Sequence, residues 1–471
     1  MKPALPLLAT LLLAPPASFA AERAAEAPTA PTVLDYLGVD LSKGGVQSVL
    51  ADLAPFPGMK IGGTSVSPDK LPKGLSHFAD LGVVMPEWVD VRVIHRLPQP
   101  REEDIPKIKG GKNKSVAYVD CPRPLITPRG DYLLTMVSGK MHYASNDPRQ
   151  KVNDILLYRS KDKGRTWTGP TVATPVPYNQ HAWVPLVPRG SKRIYMFSTE
   201  PASGDFDGQE NAGIGFRFSD DDGYTWSAMT RISPQNDPGF QGMWCINATE
   251  TQDGTWLIAP HAADWAHKPL TTRLYVLRSE NRGASWEAVP GGRPNGWQWE
   301  PGRRMDEGRP LALDGQNVVV FARTMEGHIW QISSHDDGKT WSRPQPTALV
   351  HPDAPPMIQK LSDGKTLIAL HNNRRGDRTA FNHELRSELW VSLSRDDGVT
   401  WSEPRFLAAT SRQTTRPFFS ITIRSLTYCD VLADQGRLHI FIPHLWRQVL
   451  HVRMSEQDLD RLPTRADLKL Q

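Results

Sequence analysis

Ser334-His-Asp-Asp-Gly-Lys-Thr-Trp341 is the stretch that decides the fold, because it occurs five times in the chain. The pattern, called a box below, is S-x-D-x-G-x-T-W, and Asn281 and Ser285 are its departures. The start-to-start spacings are 59, 60, 55 and 60 residues. The other copies are residues 160–167, 219–226, 279–286 and 394–401. A fixed period of this length indicates an array of repeated supersecondary units.

A short β-rich run precedes every box, for example Ile329-Trp-Gln-Ile332 before the fourth copy. Such runs have the composition and length of strands, and a period near sixty residues holds about four of them. The sequence therefore predicts an all-β fold, a six-bladed β-propeller of four-stranded antiparallel blades. The boxes give five blades, and Arg453-Met-Ser455-Glu-Gln-Asp458 resembles a sixth unit without Gly and Trp.

The boxes themselves have the chemistry of turns. Asp accepts backbone N–H bonds, Gly adopts a conformation that other residues avoid, and Trp anchors the turn against its neighbours. We therefore interpret them as structural and assign them no catalytic role. The alternating segment at residues 88–94 is a strand by the same criteria and is the candidate that closes the ring.

Composition and the N-terminus predict the compartment. Residues 1–20 have the pattern of a signal peptide, with Lys2, an apolar run and Ser18-Phe-Ala20, which resembles a cleavage site. The run is too short to span a bilayer, so we expect an exported protein, periplasmic or secreted, without stable membrane insertion. Residues 21–90 are a leader and a segment of no clear pattern, and residues 91–471 are the predicted propeller. A formal charge of +4 gives no nucleic-acid signal, and three cysteines do not make a disulfide scaffold.

The boxes resemble the Asp boxes of the sialidase (neuraminidase) superfamily, over about residues 117–460. Non-enzymatic propellers share these boxes, so the site residues need a match of their own. The best match runs from Asp306-Glu307 to Arg323, where a Glu, a strand, a turn and a strand precede an Arg sixteen residues on. The resemblance implies that Glu307 is the base that activates the nucleophile and that Arg323 binds the substrate carboxylate.

Three further positions are similar to the family's site residues, and one position departs from the family's pattern. The resemblance implies that Arg386 is a second carboxylate arginine, that Tyr428 is the nucleophile, and that Asp147 is the acid/base. The family's first arginine is the exception, because an ungapped alignment places Asp120 there. Arg123 takes this third position in the carboxylate clamp if the following strand is two residues shorter.

The resemblance implies an exo-glycosidase that removes a terminal sialic acid or a related 2-keto sugar acid from a glycan. A carboxylate nucleophile would be repelled by the carboxylate on the anomeric carbon of such a sugar, whereas a phenol deprotonated by a Glu is not. Arginines bind the substrate carboxylate by charge-assisted bonds, and an Asp protonates the leaving oxygen. No metal-ligand spacing such as H-E-x-x-H occurs, so we predict no metal and no cofactor.

Each candidate also has a purely structural alternative. Tyr428 could be a core aromatic at the start of a strand, Asp147 a turn residue, and Arg323 a surface cation at the end of a strand. Glu307 could simply form an ion pair with Arg303 or Arg309. Arg386 could form an ion pair with Glu384 or Glu388.

Two other functions stay open. Three loop histidines, His181, His261 and His371, together with clustered arginines could serve a propeller lyase or hydrolase for uronate-containing glycans. A non-catalytic glycan-binding propeller is favoured if Tyr428 and Glu307 do not meet. Three arginines around one pocket favour a keto-acid substrate, whereas Arg123 turned away favours a different sugar.

Overall fold

The structure is a computed structural model that describes residues 54–97, 117–140, 153–176, 183–200, 211–243, 246–264, 266–267, 270–376, 383–416 and 421–470. The predicted signal peptide, residues 1–20, lies outside the described residues, as does the segment up to residue 53. The helices within the described ranges are all too short or too polar to cross a membrane.

Six antiparallel sheets form the blades, and the first strands of neighbouring blades contact one another around a closed ring. The predicted all-β six-bladed propeller is therefore confirmed. Blade 1 consists of Ala117–Ile126, Tyr132–Lys140, Asn153–Ser160 and Thr168–Val176. Blade 2 consists of Val184–Leu186, Ile194–Glu200, Ala212–Ser219 and Thr230–Arg231, with Gln241–Gly242 as an added strand. Blade 3 consists of Ala248–Glu250, Trp256–Ile258, Val276–Ser279 and Glu287–Val289, and the hairpin His261–Asp264 with Thr271–Leu274 extends it.

The remaining blades follow in chain order, with one exception at the end. Blade 4 consists of Asp306–Ala312, Val318–Arg323, His328–Ser334 and Gln345–Val350. Blade 5 consists of Met357–Lys360, Leu367–His371, Glu388–Ser394 and Arg405–Thr410, followed at its edge by Val83–Pro86 and Leu75–Phe78. Blade 6 consists of Asp430–Asp434, Arg437–His444, Gln448–Ser455 and the N-terminal strand Asp90–Arg96.

The shorter elements complete the described part. Ala54–Pro55, Arg412–Arg416 and Ile421–Ile423 form one small sheet, and Lys60–Ile61 pairs with Thr64–Ser65. The described helices are short 3₁₀ segments at His383–Arg386 and Glu456–Arg461.

The strand predicted around residues 88–94 closes the ring. Asp90–Arg96 lies antiparallel to Gln448–Ser455, in a register that runs from Arg96 opposite Gln448 to Asp90 opposite Arg453. Arg453 also donates to the Asp90 carboxylate through Nε at 2.9 Å. An N-terminal strand and the C-terminal strands of the described chain therefore share one sheet, which holds the ring closed.

Each box is the turn between the third and fourth strands of its blade. In the fourth box, Ser334 Oγ donates to Asp336 at 2.8 Å and accepts the N–H of Gly338 at 2.9 Å. Asp336 also accepts the N–H of Thr340 at 2.8 Å. These bonds satisfy the polar groups of the turn locally, so the box is a structural turn as predicted.

The box also joins its blade to the preceding one. In the fifth box, Gly398 has φ +87°, and a Cβ there would lie 2.9 Å from the Phe321 ring of blade 4. Trp401 of the same box packs edge-on against Phe321, with ring centroids 6.1 Å apart. Apolar clusters between blades continue this contact, for example where Leu257 and Val276 of blade 3 meet Val318 of blade 4.

Candidate active site

A local distortion recurs in or just before the first strands of blades 1, 4 and 6. Cys121, Glu307 and Tyr428 have φ values of 54°, 46° and 60°, a region that residues other than glycine rarely adopt. In blades 1 and 4 the register of the ladder also shifts around these residues. Strained backbone of this kind clusters at functional sites. The three residues occupy equivalent positions in their blades, so the ring brings them together.

Tyr428 and Glu307 meet directly. The hydroxyl of Tyr428 donates to Glu307 Oε1 at 3.0 Å. Arg323 bridges the pair, because its Nη1 donates to Glu307 Oε2 at 2.8 Å and to Tyr428 Oη at 3.4 Å. The exposed fractions are 7% for Tyr428 and 4% for both Glu307 and Arg323. A phenol, a carboxylate and a guanidinium from two blades thus form one buried network.

A second layer of charges holds Arg323 in place. Its Nε donates to Asp353 Oδ1 at 2.6 Å and lies 3.8 Å from Asp306 Oδ1. Arg304 pairs with Asp306 and lies 3.7 Å from Asp353. Arg386 donates to the backbone carbonyl of Asp353. Three arginines and three carboxylates, counting Glu307, therefore neutralise one another, which a buried cluster requires.

The electrostatics favour a neutral Tyr428 phenol and an ionised Asp353 carboxylate. Burial raises the pKa of Tyr428 well above its ordinary value and Glu307 raises it further, whereas Arg323 and Arg386 lower it. For Asp353, burial acts to raise the pKa, but Arg323 and Arg304 outweigh burial and hold the pKa below its ordinary value. Tyr428 therefore keeps its proton at rest and has an acceptor for it in Glu307.

His261 of blade 3 supports Glu307 from behind. Its Nδ1 accepts the backbone N–H of Glu307 at 3.3 Å. Burial lowers the pKa of His261, although Asp306 and Glu307 act to raise it. A neutral imidazole with Nδ1 as acceptor carries its proton on Nε2. His371, by contrast, bonds to the Val350 carbonyl and to Ser392 within the blades.

Arg123 belongs to a different set of contacts. Its Nη1 donates to Asp430 at 3.4 Å and to the Pro122 carbonyl at 3.2 Å. Arg309 donates to the other oxygen of Asp430 at 2.6 Å. Arg123, Arg309 and Asp430 each lie two residues beyond a strained position, so the same position of three blades forms this ion-paired group. The structure therefore does not bring Arg123 to Tyr428 and Glu307.

Asp120, the residue before Cys121 in blade 1, is a buried carboxyl group close to the site. Its Oδ1 accepts the backbone N–H of Cys121 at 2.8 Å, and the side chain is 2% exposed. Burial raises the pKa of Asp120 to about 7, although Cys121, Arg123 and Arg386 lower it. A carboxyl group that is only about half ionised near pH 7 thus lies within the electrostatic influence of Arg386.

Of the residues predicted for the site, Tyr428, Glu307 and Arg323 are in direct contact, and Arg386 joins them through Asp353. Asp147 lies outside the described residues. The cation of Glu307 is Arg323 rather than Arg303 or Arg309, and Glu388 bonds to Gly62 and Arg374 rather than Arg386.

Sequence reasoning missed Arg304, Asp306 and Asp353 as members of the cluster. Arg304 and Asp306 directly flank the Glu307 motif, which is the signal that could have found them. Asp353 lies in the loop before blade 5, and no spacing singles it out. Within the described ranges, no group of three or more His, Cys, Asp or Glu side chains could hold a metal ion.

The family model of the BNR repeat-like domain matches residues 142–440. This match covers more than half of the chain, so the chain belongs to that family. Comparison with the curated proteins gives no match.

Solved structures of low sequence identity share the fold. A protein of unknown function from Dyadobacter fermentans has a TM-score of 0.54 at 16% identity, over 79% of this chain and 99% of that one. The NanB sialidase of Streptococcus pneumoniae has a TM-score of 0.52 at 12% identity, over 77% and 72%. The intramolecular trans-sialidase of Ruminococcus gnavus has a TM-score of 0.50 at 14% identity, over 74% and 96%. The chain therefore has the propeller fold of the sialidase superfamily, and the resemblance is confirmed at the level of the fold.

Proposed function

We propose that the protein is a sialidase-like glycoside hydrolase that removes a terminal acidic sugar, sialic acid or a related 2-keto sugar acid, from a glycan. The observation that carries this proposal is the buried hydrogen bond of 3.0 Å between Tyr428 and Glu307. A purely structural tyrosine needs a partner, but not a carboxylate that an arginine also holds. The contact counts against a non-catalytic propeller, since nucleophile and base lie within hydrogen-bonding reach.

The proposed reaction has two steps. Tyr428 Oη attacks the anomeric carbon while its proton passes to Glu307, and the glycosidic bond breaks as Asp147 protonates the leaving oxygen. Water then attacks the anomeric carbon of the sugar, and the bond from that carbon to Tyr428 Oη breaks. Asp147 takes a proton from this water, and Glu307 returns the first proton to Tyr428. Each group thereby recovers its starting state.

Arg323 and Arg386 are the proposed carboxylate clamp. Both are buried, and both lower the pKa of Tyr428, so they also stabilise the phenolate that forms during attack. Arg304 lies beside the same acidic side chains and adds positive charge. Arg123 remains a proposed third member only if it leaves Asp430 on substrate binding.

The experiment that tests the proposal uses a fluorogenic α-sialoside and the variant Tyr428→Phe. We expect turnover to fall by at least about 10³-fold, because the phenyl ring has no oxygen to attack with. The thermal midpoint should change little, since one buried hydrogen bond contributes about 1 kcal/mol. Turnover within tenfold of the parent would rule out the role of Tyr428.

A second candidate function rests on His261, which lies against Glu307. In a lyase acting on uronate-containing glycans, a His or Tyr removes a proton beside a carboxylate that an Arg neutralises. The Arg123–Asp430 pair favours a sugar other than sialic acid. Incubation with uronate-rich glycans separates the two functions. An unsaturated product absorbing in the ultraviolet, without fluorophore release from the sialoside, would support the lyase.

A further inference from the structure

A cavity of about 570 Å³ lies at the seam where blade 6 meets blade 1. It is bounded by the ring-closing strand Asp90–Arg96 on one side and by the first box, residues 160–167, on the other. Its lining residues do not include any member of the Tyr428 site. The volume is sufficient for one or two sugar residues.

The charged side chains that line this seam cavity are arginines, of which Arg92 pairs with Asp90 at 3.4 Å. Arg92, Arg96 and Arg165 line it, and its lining contains no aspartate or glutamate among the residues that the structure describes. Arg96 uses Nε for Gln448 and Nη2 for the Asp80 carbonyl, which are uncharged partners. Arg165 has no ion-pair partner within the described ranges. The cavity is therefore a built-in site of positive potential.

Its other walls are aromatic and carry buried polar groups. Trp167, Tyr158 and His95 line the cavity. His95 Nδ1 bonds to Tyr158 Oη at 2.7 Å, while His95 Nε2 and Trp167 Nε1 have no hydrogen-bond partner within the described part of the chain. His95 is only 3% exposed, and burial lowers its pKa to about 4, so it is neutral at pH 7. Buried polar groups without partners are uncommon, so these two give the wall of the cavity a polar character.

We propose that the seam cavity is a second binding site, separate from the catalytic one, for an anionic sugar residue whose carboxylate or sulfate is bound by Arg96 and Arg165. Aromatic side chains next to guanidinium groups suit such a residue, because the apolar face of the sugar ring packs on the rings while the anion bonds to arginine. Such a site would hold a second acidic residue of a glycan and raise the local concentration of its chain ends.

The matched pair of variants is Arg165→Gln and Lys339→Gln. Both residues occupy the same box position, and that position also holds Tyr224, Ala284 and Val399 in the other boxes, so the turn tolerates change there. Only Arg165 lines the seam cavity. Arg92→Gln, at an exposed strand position, is the second variant. Neither cavity variant touches the Tyr428 site.

Binding is measured by calorimetry with sialyllactose, a glucuronate disaccharide, a sulfated lactose and neutral lactose. Hydrogen exchange on the same mixtures locates the contact. We expect the anionic sugars to protect peptides covering residues 90–97 and 160–170, with Arg165→Gln weakening this binding at least tenfold and Lys339→Gln leaving it unchanged. The first three probes distinguish carboxylate from sulfate.

The readout is binding, so it does not depend on the proposed hydrolysis. The proposal is overturned if saturating anionic sugars protect neither peptide, if lactose binds as tightly as sialyllactose, or if Arg165→Gln and Lys339→Gln bind equally well. Failure of these tests would leave the Tyr428→Phe result intact.

Discussion

At the scale of single residues, one backbone position decides the chemistry. Cys121, Glu307 and Tyr428 share a left-handed conformation in or just before three inner strands, and two of them form the hydrogen bond on which the proposed function rests. The residues two positions after these three have a structural role instead. Arg123 and Arg309 both pair with Asp430 there, so these residues hold three blades together.

The role of Arg123 can be tested with Arg123→Met. Because Arg123 pairs with Asp430, we expect loss of stability, of about 3 kcal/mol or less since Arg309 still pairs with Asp430. The KM for an acidic sugar should stay within about twofold, whereas Arg386→Met should raise it. Urea unfolding and steady-state kinetics check both. A KM raised more than tenfold in Arg123→Met, with unchanged stability, would restore Arg123 to the clamp.

Asp120 gives a prediction for pH. Its pKa is about 7 in the folded protein against 3.8 as the ordinary value, so between these pH values the folded state keeps a proton that the unfolded state releases. This contribution favours folding at low pH and is lost as pH rises toward 7, at up to about 1.4 kcal/mol per pH unit. Asp120→Asn should therefore be more stabilising at pH 8 than at pH 5. Urea unfolding at both pH values measures the change in the free energy of unfolding. An equal change at pH 5 and pH 8 would contradict the prediction.

At the scale of elements, the boxes were readable from the sequence because every bond that shapes them is local. Ser334, Asp336, Gly338 and Thr340 satisfy one another within seven residues. The edge strands of blade 5 were not readable. Val83–Pro86 pairs with Arg405–Thr410, more than three hundred residues away, and no pattern in residues 75–86 specifies that partner.

The contact between box and preceding blade can be tested with Gly398→Ala and the control Gly364→Ala, both in blade 5. Both glycines have positive φ, so each substitution costs about 1–2 kcal/mol of backbone strain. Gly364 has nothing within 4 Å of the added Cβ, whereas Gly398 has the buried Phe321 ring at 2.9 Å. Gly398→Ala should therefore cost about 1–3 kcal/mol more, by overpacking. Equal thermal midpoints in the two variants would show that the box does not brace its neighbour.

At the scale of the whole molecule, the ring determines which residues meet. The sequence indicated Glu307, Tyr428 and a closing strand as separate features. It could not show that Glu307 and Tyr428, which are 121 residues apart, form a hydrogen bond with each other. It also could not show that Arg123 faces Asp430, because strand register and the shift at Cys121 decide that. Arg304 and Asp353 belong to the site because the fold packs blades 4 and 5 side by side, which the sequence does not specify.

The central claim, that the ring places Tyr428 to attack a sugar, is tested most directly by trapping the covalent intermediate. The protein is quenched in acid during turnover of an activated α-sialoside, digested and examined by mass spectrometry. We predict one sugar mass added to the peptide that contains Tyr428, and no adduct in Tyr428→Phe or in Glu307→Gln. Turnover with the adduct on another residue, or an adduct that persists in Tyr428→Phe, would contradict the account.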